Sequence, residues 1–303
     1  MKLIKPSFEI LEQRDFSIIG IKKFIERCGR VCYKSEDKIT DSSFMKFVNM
    51  LIERDHTRPL EFGTVHLKVP SGKEFKELVE SLIEADLYNN MWIQYNVLPE
   101  NTYITTNYRM YLRILDKQSW ISEYFTEEDN CYYPSRYTVH MILSRGVMDE
   151  FRTHVGLSHL AESTRYCNYS KDKFGNKLTF IIPNWVKLKY DYVSTDDVGN
   201  NEILVNGVEQ DWYDEEDEVT KRFLYNTQRA EGVYIMLLKE GCTPQQAREV
   251  LPLSIKSELI SCGFKDAWDN FFYRRCAKDA HPMAREIALP MQERFKELNY
   301  VNQ

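Results

Sequence analysis

Apolar side chains return at a helical period in two segments near the start of the chain. Over residues 21–32 and 44–52 they recur every three or four positions, which places them on one face of an α-helix, and Asp41 is the expected N-cap of the second helix. Over residues 64–69 and 138–143 apolar and polar side chains alternate, as in half-buried strands. The pattern predicts a sheet covered by helices.

The segment from Tyr190 to Asp217 is acidic and has no sustained period, so we interpret it as a surface excursion. Its Asn206-Gly207 dipeptide favours a hairpin turn. A helix is then predicted to begin in the acidic run 215–218 and to end at Gly241, in agreement with the helix dipole and with glycine at a C-terminus. The side of this helix that we expect to be buried carries Val219, Phe223, Ala230, Tyr234 and Leu237.

The C-terminal third is predicted to be largely helical. Thr243-Pro244-Gln245-Gln246 matches a capping box with proline at the first helical position, and that helix is broken before Pro252. Helical stretches follow at 264–276 and 284–298. No repeat or linker interrupts the chain, which favours one domain over residues 1–303.

Composition narrows the class of protein. The chain has 303 residues with 40 basic and 46 acidic side chains, a net charge of −6, which excludes a strongly basic nucleic-acid binder. No apolar run approaches the length of about 18 residues that a membrane span needs. Lys2 and Lys5 lie where a signal peptide requires apolar residues, so we expect a cytoplasmic protein without a membrane partner.

The seven cysteines are odd in number and dispersed, and only Cys28 and Cys32 are close in sequence. This spacing indicates neither a disulfide framework nor a structural metal site. We interpret the cysteines as small buried apolar residues, in preference to catalytic thiols.

The densest cluster of polar residues spans 151–170, in a chain that lacks the common hydrolase and glycine-rich nucleotide motifs. On a helix His154, Ser158, Glu162 and Arg165 would share one stripe, which is either a solvated face or the lining of a site. The run 163–166 combines hydroxyls, a guanidinium and a phenol, which suit a phosphate and a planar ring, so it favours a nucleotide.

Two further candidates are weaker when taken alone. Arg248 lies on a short capped helix before a proline, and the alternative is a surface arginine paired with a neighbouring glutamate. His56 lies in a turn between the second helix and the first strand, where it could stack on a ring or cap a helix.

Taken in order, these segments resemble the flavin-dependent thymidylate synthases, the ThyX family. His56 to Glu61 resembles the H-x-S-x-L-E turn of that family, with Arg58 in place of serine. The other matching segments are 26–38, 144–147, the signature region 162–175, the late A-R-x-x-L-P segment 247–253 and, more loosely, 275–287. Residues 116–135 and 186–216 have no counterpart, and we expect them to be insertions in surface loops.

The resemblance implies an α/β (α+β) subunit with a central mixed or antiparallel sheet and long helices, assembled as a homotetramer with flavin sites between subunits. It implies reductive methylation of dUMP to dTMP, with methylenetetrahydrofolate as the one-carbon donor and FAD reduced by NADPH. No cysteine nucleophile is required, because the flavin carries the difficult chemistry.

The resemblance also assigns residues by position. Ser163 and Arg165 would bind the dUMP phosphate, Tyr166 would line the same pocket, and Arg248 would contact the pyrimidine and stabilise negative charge on its carbonyl. The positions that match the flavin or folate side are His56, Ser35, His154 and Ser158.

One departure from the family is large. The signature R-H-R falls on Thr153, His154 and Val155, so both arginines are lost, and Ala161 stands where the family usually has a carboxylate or an amide. Replacement arginines could come from positions 58, 109 and 145. The departure leaves two alternatives open: a different modification, such as hydroxymethylation or use of another pyrimidine nucleotide, or a nucleotide-binding homologue without catalysis.

Overall fold

The computed structural model of the chain describes residues 1–84, 91–163, 178–187, 193–195, 201–203 and 217–301. Within these ranges the strands are β1 (Lys2–Ile4), β2 (Ser7–Leu11), β3 (Thr64–Pro70), β4 (Ile93–Val97), β5 (Asn101–Asn107), β6 (Phe125–Thr126), β7 (Arg136–Ser144), β8 (Ser158–Ala161), β9 (Thr179–Ile181), β10 (Val193–Thr195), β11 (Asn201–Ile203) and β12 (Lys256–Phe264). The α-helices are α1 (Ile18–Tyr33), α2 (Ser43–Glu53), α3 (Lys73–Glu84), α4 (Tyr108–Lys117), α5 (Arg145–Arg152), α6 (Glu218–Lys239), α7 (Pro244–Ala247), α8 (Lys265–Arg275) and α9 (Pro282–Glu297).

The described strands form three four-stranded sheets, ordered β2-β7-β12-β8, β4-β5-β3-β6 and β10-β11-β1-β9. The first two are antiparallel, and the third contains the parallel pair β1 and β9. The predicted α/β fold with antiparallel or mixed sheet and long helices is confirmed, although the strands are divided among three sheets.

The sheet β2-β7-β12-β8 positions the residues discussed below. One face packs against α1 through Phe24, Cys28 and Val31, which meet Leu160 and Ile260. The other face packs against α5, α8 and α9, around the buried Trp268 and its neighbouring phenylalanines. This sheet is therefore covered by helices on both faces, and residues that alternate along β12 face different cores.

The helices and strands predicted from the period at the start of the chain are confirmed as α1, α2, β3 and β7. Ser17 caps α1 by accepting a hydrogen bond from the amide of Gly20. The N-cap of α2 is Ser42 and not Asp41, so that prediction is wrong by one residue. The predicted capping box at Thr243 and the two C-terminal helices are also confirmed.

Helix α6 begins and ends close to the predicted limits, and its predicted face is confirmed in part, because Tyr234 is buried and Phe223 and Leu237 pack partly buried against the same core. The buried side chains are Thr220, Leu224, Thr227 and Tyr234, whereas Val219 is exposed. The hydroxyl of each buried threonine donates a hydrogen bond to a carboxylate or carbonyl oxygen. Burial of the two threonines therefore leaves no unsatisfied donor. Hydrophobicity alone could not identify this face.

The two predicted surface insertions are described to different extents. In 116–135 a 3-10 helix, Ser119–Tyr124, buries Ile121 in the core between α4 and the second sheet. In the second segment β10 and β11 pair antiparallel. Asn206-Gly207 lies outside the described residues. That these segments are insertions relative to the family stays a prediction.

Among the described helices, none combines the length and the apolar character needed to cross a membrane.

Candidate functional site

Four parts of the chain converge on an open cavity of about 420 Å³. The end of α1, the turn after α2, the first turn of α4 and the strand β8 contribute its walls. The lining residues are Cys32, Tyr33, Asp55, His56, Thr57, Arg58, Pro59, Arg109 and Leu160. The structure thus brings His56 together with Arg58 and Arg109, two of the three arginines expected to replace the lost signature arginines.

The two arginines differ in their surroundings. The side chain of Asn107 caps α4 and places Arg109 in its first turn, where Nη1 donates to Oε1 of Glu61 at 2.5 Å. Arg58 begins the 3-10 helix Arg58–Phe62, is exposed, and makes no ion pair with any residue in the described ranges. The cavity therefore presents one neutralised and one available guanidinium, which suits an anionic ligand.

Glu61 is the buried anchor behind this cavity. Its Oε2 accepts from the hydroxyl of Ser158 at 2.6 Å, its Oε1 accepts from Arg109, and its carbonyl oxygen accepts from Nη2 of Arg136 at 2.7 Å. Ser158, predicted on the flavin or folate side, is buried and donates its hydroxyl to Glu61. In this chain the hydroxyl of Ser158 connects β8 to the 3-10 helix Arg58–Phe62.

The predicted stripe of His154, Ser158, Glu162 and Arg165 on one helix face is wrong for the described residues. Helix α5 ends at Arg152, and residues 158–161 form the strand β8. Gly156, at a φ of 103°, turns the chain between them in a conformation that favours glycine. Arg165 and Tyr166 lie outside the described residues.

Ser163 and Ser35 both lie at the C-terminal end of α1. The amide of Ser163 donates to the carbonyl of Cys32 at 3.1 Å, and Cys32 lines the cavity. Ser35 follows the helix directly, and its amide donates to the carbonyl of Arg30 at 3.2 Å. The structure therefore places both predicted serines beside the cavity that contains His56.

His154, the surviving residue of the signature, is buried away from the lining of the cavity. Its Nε2 lies 3.3 Å from the carbonyl oxygen of Ala267, and its ring packs edge-on against Phe271. Its neighbour in space, His159, lies with Nδ1 2.9 Å from the hydroxyl of Ser261. Burial lowers the pKa of both histidines, and that of His159 falls to about 4.

This burial predicts a pH effect on stability. His159 titrates at about 4 in the folded chain but near 6.5 when exposed, so between these values only the unfolded chain takes up the proton. The free energy of unfolding should fall by up to about 3 kcal/mol through this site as pH drops from 6.5 towards 4. Urea unfolding of the protein and of a His159→Asn variant, each at pH 7 and at pH 4.5, measures this fall in the free energy of unfolding. An equal loss in both proteins would contradict the assignment.

The positions of the lost arginines have different surroundings. Beside Thr153, Nη2 of Arg275 donates to the carbonyl of Glu150 at 2.6 Å and lies 3.4 Å from the Thr153 hydroxyl. Val155 is 79% exposed. A guanidinium from α8 therefore lies beside the first lost position. Arg275 belongs to the loosely matching tail, so the sequence offered only a weak signal for it.

Two other arginines singled out from the sequence lie elsewhere. Arg145, the third possible replacement, pairs with Asp149 on α5, with Nε and Oδ2 3.3 Å apart. Arg248 begins the 3-10 helix Arg248–Val250, and its Nε lies 3.2 Å from Oε1 of Glu249. Arg248 is not among the residues that line the cavity. Its contact with a pyrimidine stays a prediction.

A row of buried charges beside the two serines was not found from the sequence. It contains Lys34, Glu258, Lys256 and Glu162, and Nε2 of His140 lies 2.8 Å from Oε2 of Glu258. The signal was weak because lysine and glutamate in a strand normally indicate a solvated face.

The model of a family described as thymidylate synthase complementing protein matches residues 134–299, which is more than half of the chain. No curated protein matches the chain.

Two similar solved structures are of a UMP/dUMP methylase, PolB, from Streptomyces cacaoi. The one bound with 5-Br dUMP is 15% identical, has a TM-score of 0.41, and the alignment covers 99% of this chain and 93% of that chain. The one bound with 5-Br UMP is 14% identical, with a TM-score of 0.43 and coverage of 98% and 92%.

Proposed function

The chain belongs to the thymidylate synthase complementing protein family, and from this premise we propose that it methylates dUMP at carbon 5 to form dTMP. The one-carbon donor in this proposal is methylenetetrahydrofolate, and NADPH is the reductant of a bound FAD. The observation that carries the proposal is the cavity in which His56, Arg58 and Arg109 meet, with the backbone of Ser163 hydrogen-bonded to its wall at Cys32.

The residues of the cavity fit a flavin nucleotide. A pyrophosphate needs positive charge and hydrogen-bond donors, and the available guanidinium of Arg58 provides both. Arg58 and His56 would bind the phosphates, and Ser35, which follows α1, would contribute from the same side. When bound, the flavin supplies the redox chemistry.

The nucleotide would be bound by a second group of residues. Ser163 and Arg165 would hold the phosphate of dUMP, with Tyr166 in the same pocket. Arg248 would face the pyrimidine and stabilise negative charge on its carbonyl during the transfer. The proposed assembly is a homotetramer with flavin sites between subunits, so Arg248 and His56 of one chain need not share a cavity.

The cysteine in the cavity supports a reaction without an enzymic thiol nucleophile. Burial raises the pKa of Cys32 to about 12. The reactive form of cysteine is the thiolate, so a thiol with this pKa stays protonated and unreactive near neutral pH.

The test is the mass of the nucleotide product. Purified protein is incubated anaerobically with FAD, NADPH, methylenetetrahydrofolate and a mixture of dUMP and dCMP. Formation of dTMP is the expected result. A different adduct, or a product from dCMP, would overturn it in favour of an altered pyrimidine modification, and bound nucleotide without any product would indicate a catalytically silent homologue.

A variant tests the role of Arg58 in binding the flavin. Replacing Arg58 with alanine should raise the Kd for FAD about 10- to 100-fold, because a hydrogen bond to a charged group contributes about 1.5–3 kcal/mol. Titration followed by flavin fluorescence measures the Kd. Arg294→Ala, which removes an exposed ion pair with Glu297 on α9, is the control and should leave the Kd unchanged. Equal affinity of Arg58→Ala and wild type would remove Arg58 from the flavin site.

A further inference from the structure

Four side chains of alternating charge form a continuous row beneath the two predicted serines. Lys34 Nζ contacts Oε1 of Glu258, which also lies 2.5 Å from Nζ of Lys256. The same Lys256 ammonium lies 3.0 Å from Oε2 of Glu162. The two carboxylate side chains are 6% and 0% exposed, so the row is largely removed from water.

The row joins three elements that are distant in sequence. Lys34 ends α1 in a left-handed conformation, with φ at 48°, Lys256 and Glu258 lie on β12, and Glu162 follows β8. The backbone is tied at the same place, because the amide of Glu162 donates to the carbonyl of Glu258 at 2.8 Å. Lys34 also contacts the half-exposed Glu36, with Nζ and Oε1 3.3 Å apart. Two members of the row are followed directly in sequence by a serine, Lys34 by Ser35 and Glu162 by Ser163.

The opposite charges in the row favour the ionised forms of Lys256 and Glu258. The two carboxylates raise the pKa of Lys256 despite its burial, and Lys256, His140 and Lys34 hold the pKa of Glu258 well below its usual range, against the opposing effect of burial. A buried ion network is often no more stabilising than apolar residues of the same volume. Compared with an apolar cluster, the ion network adds a defined geometry, because each carboxylate accepts hydrogen bonds from fixed directions.

We propose that Lys256 is a positioning residue, which holds Glu162 against Glu258 and thereby places Ser163 to bind the phosphate of the pyrimidine nucleotide. This inference rests on the proposed function, which assigns the phosphate to Ser163. Lys256 touches neither substrate nor flavin in this proposal. It acts through Glu162 on the start of the segment that carries the family signature.

The double variant Lys256→Met with Glu162→Leu tests this role. It removes the ion pair between β12 and the residue before Ser163, while Glu258 keeps Lys34 and His140 as partners. We expect thermal unfolding close to that of wild type and a Kd for dUMP, by calorimetry, raised about tenfold or more. The KM for dUMP should rise while kcat changes little. The single variant Lys256→Arg keeps the positive charge between the two carboxylates. Its Kd for dUMP should therefore be close to that of wild type.

The matched control is Lys68→Met with Glu128→Leu, which removes a solvent-accessible pair between β3 and the segment after β6, with Nζ and Oε2 3.2 Å apart. It should bind dUMP like wild type. A Lys256→Met/Glu162→Leu protein that binds dUMP with wild-type affinity would overturn the proposal.

Hydrogen exchange separates this proposal from the proposed function. The amides of residues 158–163 in the protein without nucleotide should exchange faster in the Lys256→Met/Glu162→Leu variant than in wild type. If wild type binds no dUMP, the proposed function fails. In that case unchanged exchange at these amides would also overturn the positioning of Ser163, whereas faster exchange would support it.

Discussion

Replacing Arg248 with alanine is expected to lower the kcat for dTMP formation by about 100- to 1,000-fold, the loss typical for removing a group that stabilises charge in a transition state. Loss of the ion pair with Glu249 should lower the free energy of unfolding by at most about 1 kcal/mol, because the pair lies at the surface and Arg248 is 32% exposed. Turnover at saturating dUMP and folate, together with thermal unfolding, measures both effects.

The control for this variant is Glu249→Ala, which removes one ion-pair partner of Arg248 but keeps the guanidinium. It should retain kcat, since the proposed role belongs to Arg248 alone. Full activity of Arg248→Ala would remove Arg248 from the reaction and leave only the interpretation of a surface arginine paired with its neighbour.

Replacing Glu61 with alanine is expected to lower the free energy of unfolding by about 3 kcal/mol. The change leaves the buried hydroxyl of Ser158 without its acceptor and the guanidinium of Arg109 without its counter-ion. Urea unfolding monitored by circular dichroism measures the loss. Flavin affinity should change as well, because Arg109 is then free to move within the cavity.

Glu61→Gln separates charge from shape at this position. It keeps an oxygen for Ser158 and should be destabilised less than Glu61→Ala. The matched control is Glu128→Ala, whose exposed pair with Lys68 should contribute at most about 1 kcal/mol. A Glu61→Ala protein as stable as this control would show that Glu61 is not the anchor of the cavity.

Much of the helical structure follows from local pattern. The apolar period of residues 21–32 and the capping box at Thr243 depend on neighbours three or four positions away, and both are confirmed. By contrast, β12 was missed, because Lys256 and Glu258 look solvent-exposed when the strands on either side are unknown. Its central place in the sheet results from pairing with β7 and β8, which lie about a hundred residues earlier in the chain.

The polar cluster 151–170 shows the same limit at the site. Its composition favoured a nucleotide, but its predicted helical stripe is wrong because Gly156 turns the chain and residues 158–161 pair as a strand with β12. Strand pairing places Ser158 beside Glu61, a contact that spans 97 positions. No local period could have indicated it.

The sequence by itself determined the family resemblance, the helices with strong period or caps, and the residues with suitable chemistry at positions 35, 56, 163 and 248. Only the tertiary structure decided that Arg58 and Arg109 share a cavity with His56, that Arg275 lies beside Thr153, and that a row of charges joins α1, β12 and the residue before Ser163. The physical reason is the separation in sequence between the residues that interact. Caps and amphipathic faces depend on neighbours within one or two turns, whereas a cavity or a buried ion network depends on which distant strands and helices meet.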